Sequence, residues 1–165
     1  MPVHFEPEEM EIRRHQVSKR LSELGLDGLL MFKQESMYYL TGYDTFGFSM
    51  FQCLIIDGSG HTVLLTRLPD LRQAQFTSDI QDIRLWHDTE DVNPALELRG
   101  LLDDLGYRNK TLGIEFDSYG LKAHYWRLLE PQLDGFCRLV DASTLVDQFR
   151  RVKSPTEIEY IRRAA

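Results

Sequence analysis

The stretch Cys53-Leu54-Ile55-Ile56-Asp57-Gly58-Ser59-Gly60-His61-Thr62-Val63-Leu64-Leu65 decides the fold. Residues 53–56 and 62–65 are apolar runs of strand length, and Asp57-Gly58-Ser59-Gly60 between them is a cluster of turn formers. Two such runs joined by a short Gly-containing polar connection predict a β-hairpin. An antiparallel pair is therefore expected near the middle of the chain.

Outward from the hairpin, helical and strand-like patterns alternate. Met10, Val17, Leu21 and Leu24 form a helical stripe that stops at Gly25. Asp27-Gly28 leads into an apolar run at 29–32, a buried strand, followed by a short helix over 36–40 capped by Gly42. After the hairpin come a helix over 68–76 and a strand over 83–86. Asn93-Pro94 opens a helix whose Leu98, Leu101, Leu102 and Leu105 follow an i, i+3, i+4, i+7 pattern, ended by Gly106. Residues 111–116 form a strand, Ser118 caps a helix carrying Leu121, Tyr125, Leu128 and Leu129, and 136–140 is the last strand. Helices between strands require crossovers, whereas the hairpin is antiparallel. The expected fold is α/β: a three-layer α/β/α arrangement with a mixed, mostly six-stranded sheet and helices on both faces.

The last segment differs. Ser154-Pro155-Thr156-Glu157 is a capping box with Pro in the first helical turn. Ile158, Ile161 and Ala165 share one face of the helix it opens, and Glu159 and Arg163 pair on another. So short a helix is marginal alone in water. Either it folds back on its own domain or its apolar stripe awaits a further domain; the latter is the expectation, with one domain over 1–150 and a linker helix starting in 151–165.

The 165 residues fit one domain with a real core, at 42% hydrophobic and 27% charged content. The net charge of -7 disfavours nucleic acid, which needs clustered Lys and Arg; it suits a basic protein partner. No apolar run reaches the roughly 20 residues of a membrane span, and the N-terminus is not a basic-then-apolar leader. A cytoplasmic location is expected. Cys53 and Cys137 sit in apolar, strand-like contexts and read as reduced thiols.

Chemistry-bearing patterns are sparse. None of His4, His15, His61, His87 and His124 has His-x-x-x-His spacing. His87-Asp88 with Glu90-Asp91 is the best local metal-like cluster, better explained as a solvated loop. Gly58-Ser59-Gly60 lacks nucleophile-elbow spacing. Glu115 and Asp117, two apart at a strand end, are expected on one face; they are either a helix-entry cluster or the acids of a nuclease-like site. Residues 41–52, rich in Tyr, Phe and Gly, either cover the core or offer apolar area to a ligand. Arg67 is expected to form a surface ion pair with Asp70.

The run from Phe149 to Ala165, together with Gly28-Leu29-Leu30-Met31-Phe32 and Tyr39-Leu40-Thr41-Gly42-Tyr43 in the same order, resembles the creatinase / Xaa-Pro peptidase (aminopeptidase P, prolidase) superfamily. The resemblance implies a creatinase-type, ribonuclease H-like N-terminal domain joined to a C-terminal "pita-bread" domain. That second domain would hold two divalent metal ions (Mn, Co or Zn) on two Asp, one His and two Glu, none in this chain. It also implies a homodimer in which the loop after "YLTG" helps line the partner's active site. Tyr43, Asp44, Phe46 and Phe48 are then the implied substrate contacts in trans, with Arg67 at the same mouth. Creatinases proper carry a Phe and, two residues later, an Arg; here Phe48 matches, but Met50 stands at the Arg position, so a bidentate grip on a carboxylate is lost. Gly42-Tyr43-Asp44 with Gln52-Cys53 is similar to ectoine-hydrolase-like members. The expected role is a non-catalytic domain of a C–N bond hydrolase; the alternative is a catalytically inert protein-binding module, histone-chaperone-like.

Overall fold

The computed structural model describes residues 4–90 and 92–165. Its order is α1 (Pro7–Glu23), β1 (Gly28–Met31), α2 (Gln34–Thr41), β2 (Cys53–Asp57), β3 (Thr62–Arg67), a 3-10 turn (Leu68–Asp70), α3 (Leu71–Thr77), β4 (Asp82–Trp86), α4 (Pro94–Asp104), β5 (Thr111–Ile114), α5 (Ala123–Leu133), β6 (Arg138–Asp141), α6 (Leu145–Arg150) and α7 (Pro155–Ala164).

The six strands form one sheet in the order β4-β3-β2-β1-β5-β6. Only β2 runs against its neighbours: β1–β2 and β2–β3 are antiparallel, and the other pairs are parallel. The β2–β3 turn is held by Asp57, whose Oδ1 accepts from Ser59 N (2.8 Å), Ser59 Oγ (2.6 Å) and His61 N (3.1 Å). Gly60 supplies the positive φ of 90° that this tight return demands.

The strand period splits the core into two. Leu30, Cys53, Ile55, Val63, Leu65, Leu112 and Ile114 face α4 and α5, whereas Leu29, Met31, Leu54, Ile56 and Leu64 face α1, α2, α3 and α6. Because both faces are covered, β1 is buried along its whole length. Each fully buried Leu or Ile contributes roughly 1.5–3 kcal/mol, so a one-residue slip of register is strongly disfavoured.

Two expectations need correction. Ser118 does not cap a helix; α5 starts at Ala123, after Lys122. Ser118 instead closes a turn, its Oγ accepting from Gly120 N (3.1 Å) and its carbonyl from Leu121 N (3.2 Å). A Cβ on Gly120 would lie 2.2 Å from the Phe32 carbonyl oxygen, so the chain must pass there without a side chain before it can turn into the helix. The second is α6, which was not foreseen. It packs Leu145 and Val146 into the α1 face, and six residues are too few to show a helical period.

α7 carries the expected capping box: Ser154 Oγ accepts from Glu157 N (3.1 Å), and Glu157 Oε2 accepts from Ser154 N (2.8 Å). Its contacts with the rest of the fold are polar and aromatic. Tyr160 donates its hydroxyl proton to the His4 carbonyl (2.6 Å) and meets the Phe5 ring edge-on at 5.7 Å. Glu157 lies 3.5 Å from the buried Arg13 guanidinium, which is sandwiched between the rings of Phe5 (4.1 Å) and Tyr39 (4.3 Å). Ile158 and Ile161 remain in water, Ile161 at 55% exposure. No helix among the described residues is long and apolar enough to cross a membrane.

Candidate functional site: a braced aromatic loop

The reversed direction of β2 places the site. β1 ends beside the start of β2, and Met31 pairs with Leu54. The carboxyl ends of β3, β4, β5 and β6 lie at that same end of the sheet. After α2 the chain must return to it, so residues 42–52 cross the carboxyl end of the parallel strands. Open α/β sheets bind ligands at that end.

Two polar clusters hold the loop from beneath. In the first, the Tyr43 hydroxyl donates to Gln52 Oε1 (2.5 Å), which also accepts from Thr66 Oγ1 (3.0 Å). Gln52 Nε2 donates to the Gly47 carbonyl (2.6 Å), which closes the loop on itself. Tyr43, Thr66 and Gln52 are all buried, and burial pushes the Tyr43 phenol up to about 12. In the second, Thr45 Oγ1 accepts from Gly47 N (2.9 Å) and lies against Asp70 Oδ1 (3.2 Å) and Gln73 Oε1 (3.0 Å). Asp70 also pairs with Arg67 Nε (2.9 Å), and Arg67 Nη1 reaches Asp88 Oδ2 (3.3 Å). A Cβ on Gly47 would come 2.5 Å from Asp70 Oδ1, so a side chain here would have to push the Asp70 carboxylate out of the cluster.

Above this base the side chains point outward. Phe46 is 90% exposed and Phe48 47%, with Met50 also at the surface. Phe48 rests edge-on against Tyr119, ring centroids 5.7 Å apart, and the Tyr119 hydroxyl donates to Glu35 Oε2 (2.7 Å). Asp44 is exposed at the loop's start and, with Arg13, Arg150 and Glu35, lines a cavity of about 450 Å³. Its backbone N–H donates to Thr77 Oγ1 (3.0 Å).

Of the five residues expected here, Asp44, Phe46 and Phe48 stand at the surface. Tyr43 faces inward, and Arg67 sits in the second cluster, where it pairs with Asp70 as anticipated, but with the carboxylate buried and not at the surface. Gln52, Thr66, Thr45 and Asp70 were missed as members of the site. Gln52 and Thr66 border apolar strand runs, and that is the signal that would have found them: a polar side chain beside a buried strand needs a partner.

Glu115 and Asp117 do not share a face, because β5 ends at Ile114 and the two-residue period ends with it. Asp117 is exposed. Glu115 is fully buried, its Oε2 accepting from Phe32 N and Lys33 N (both 2.9 Å) and its Oε1 from Ser36 Oγ (2.5 Å). Burial pushes its carboxyl up to about 7, against the pull of these three donors and of Lys33. It therefore fastens the entrance of α2. Asp91, part of the His87-Asp88-Glu90-Asp91 stretch read above as a solvated loop, lies outside the described residues; among those described, no group of three or more His, Cys, Asp or Glu is placed to hold a metal ion.

Comparison with known proteins agrees with this architecture. The chain is 32% identical over 165 residues to ectoine hydrolase of Halomonas elongata, covering 96% of this chain and 41% of that protein. It is 28% identical to the uncharacterized hydrolase/peptidase y4tM of Sinorhizobium fredii, covering 98% and 43% respectively. It thus spans about two-fifths of the curated relatives it matches. Among solved structures, a dipeptidase from Pyrococcus horikoshii superposes with a TM-score of 0.72 at 23% identity, over 89% of this chain and 38% of that one. The N-terminal domain of the peptidase PepQ from Mycobacterium tuberculosis superposes with a TM-score of 0.64 at 22% identity, over 85% and 99%. The Creatinase/Prolidase N-terminal domain family matches residues 13–152. With the motifs around β1 and α2 in place on the expected mixed sheet, this chain belongs to that family.

Proposed function

We propose that this chain is the non-catalytic N-terminal domain of a metal-dependent hydrolase that cleaves a C–N bond in an Xaa-Pro peptide or a small amidine or guanidino compound. The observation that carries this reading is Phe46: a phenyl ring almost wholly in water, raised on a loop that two buried polar clusters hold still. Exposed aromatic area on a rigid support is the form of a contact surface, because little ordering entropy is lost on docking. Asp44, Phe46 and Phe48 would meet the substrate or the wall of the partner subunit's pocket in a homodimer. Tyr43 and Arg67 would hold them in place from below. The ectoine hydrolase relative supports the class of reaction, and the absence of an Arg at Met50 argues against creatine.

α7 begins the connection to a C-terminal catalytic domain in this proposal. Two divalent metal ions there would activate water for attack on the carbonyl or amidine carbon. This chain would supply dimer contacts and one side of the pocket, in the cytoplasm. In the full-length protein, Phe48→Ala should raise KM or lower kcat while bound metal stays unchanged. Unaltered kinetics would remove the loop from the active site.

A further inference from the structure

β6 closes one side of the sheet and pairs with β5 alone. Arg138 N donates to the Lys110 carbonyl (2.8 Å) and Ala142 N to the Ile114 carbonyl (2.9 Å). Alternate residues of a parallel ladder direct their main-chain groups to opposite sides. Leu139 and Asp141 therefore turn N–H and C=O outward, away from β5. Native sheets commonly cover such an edge or give it charge.

Beside this edge runs a groove of about 620 Å³ between α5 and β6. Its floor is apolar: Cys137 just before the strand and Leu139 within it, then Phe116 and Trp126, which meet edge-to-face at 4.8 Å. Its charged members are Glu130 and Asp134, one helical turn apart, and no basic side chain lines it. Neither acid forms an ion pair among the described residues. α5 ends just before β6 begins, so Asp134 lies near the start of the strand. Trp126 lies toward its end, against Phe116, which follows the carboxyl end of β5. The groove thus grades from acidic to aromatic along the strand.

We infer that the outer edge of β6 and this groove together take an extended segment of a partner protein, added as a seventh strand, with an apolar side chain over Phe116 and Trp126 and a basic one beside Glu130 and Asp134. Strand addition draws affinity from main-chain hydrogen bonds and specificity from pockets for alternate side chains. Leu139 offers both, free main-chain groups and a side chain on the groove floor. A basic segment matches the charge of the rim and of the chain, net -7. The surface is separate from the aromatic loop and does not rest on its proposed role.

The test is an amide chemical-shift titration of the chain with an acetylated hexapeptide carrying Leu and Arg on one face and Thr on the other. A second peptide with Glu in place of Arg is the control. The Arg peptide should bind and shift the Leu139 and Asp141 amides, and the Glu peptide should not. The E130Q/D134N pair should weaken binding by several-fold to about tenfold, the range open to two exposed ion pairs. Equal binding of the two peptides, undiminished binding to the double variant, or shifts that map away from β6 and α5 would overturn the assignment. So would concentration-dependent self-association through β6 without peptide, which would make a second copy the occupant.

Discussion

The Tyr43 hydroxyl meets Gln52 Oε1 at 2.5 Å, and this contact spans the base of the loop that lifts Phe46 into water. Tyr43→Phe removes the donor but leaves Thr66 on Gln52. A destabilisation of about 1–2 kcal/mol is expected, the range for one buried hydrogen bond. Urea unfolding of the two proteins, compared at equal m-value, checks it.

Phe46→Ala should leave stability within about 0.5 kcal/mol of the parent, because the ring covers almost nothing. A loss well above 1 kcal/mol would mean that the ring has a packing role within the chain.

Gly47→Ala carries the opposite expectation. Its Cβ would press on Asp70 Oδ1 at 2.5 Å and disturb the Thr45–Asp70–Arg67 cluster. A cost of about 1–3 kcal/mol is expected, as for other overpacked sites. Faster amide exchange confined to residues 43–52 would accompany it.

Glu115 should make stability depend on pH. Its folded-state carboxyl titrates near 7, above the ordinary value of 4.5. In the unfolded chain it ionises first, so this group's favourable contribution is complete below 4.5 and is lost as pH rises through 7. Glu115→Gln should flatten that part of the stability profile. Glu115→Ala, which strands the Phe32 and Lys33 N–H groups, should cost most at low pH, about 2–4 kcal/mol, and less above pH 7, where the parent has lost the group's contribution. Chemical denaturation at pH 4.5, 6 and 8 distinguishes the three proteins.

Arg13 joins three helices: it binds Glu9 at 2.5 Å and the Tyr39 carbonyl at 3.0 Å, and it lies beside Glu157. Arg13→Met keeps an unbranched apolar stem between Phe5 and Tyr39 but drops the charge. Amide exchange in α7 is expected to rise at least severalfold more than in α1; equal protection in both helices would assign the hold on α7 to Tyr160 instead.

Much of this architecture was legible because local chemistry and global fold agree. The Asp57 turn, the left-handed Gly42 and Gly106, and the Ser154 capping box each name their own boundary. The apolar runs over 53–56 and 62–65, with the turn formers between them, marked the antiparallel pair. Ser118 misled because a Ser ahead of a helical stripe looks like a cap, and the carbonyl of Phe32 that constrains Gly120 is far away in sequence. The exposed half of the site was legible as an aromatic loop. Its base was not, since Thr45 and Gln52 of the loop meet Thr66 of β3 and Asp70 of the 3-10 turn only because the reversed strand brings them together.

The separation between the loop's anchors and its crest has an evolutionary consequence. Positions 46, 48 and 50 are free to drift with little penalty in folding, while 43, 45, 47 and 52 are locked by what lies under them. A lineage bearing this domain has a platform on which recognition is retuned one crest residue at a time, without renegotiating the rest of the molecule.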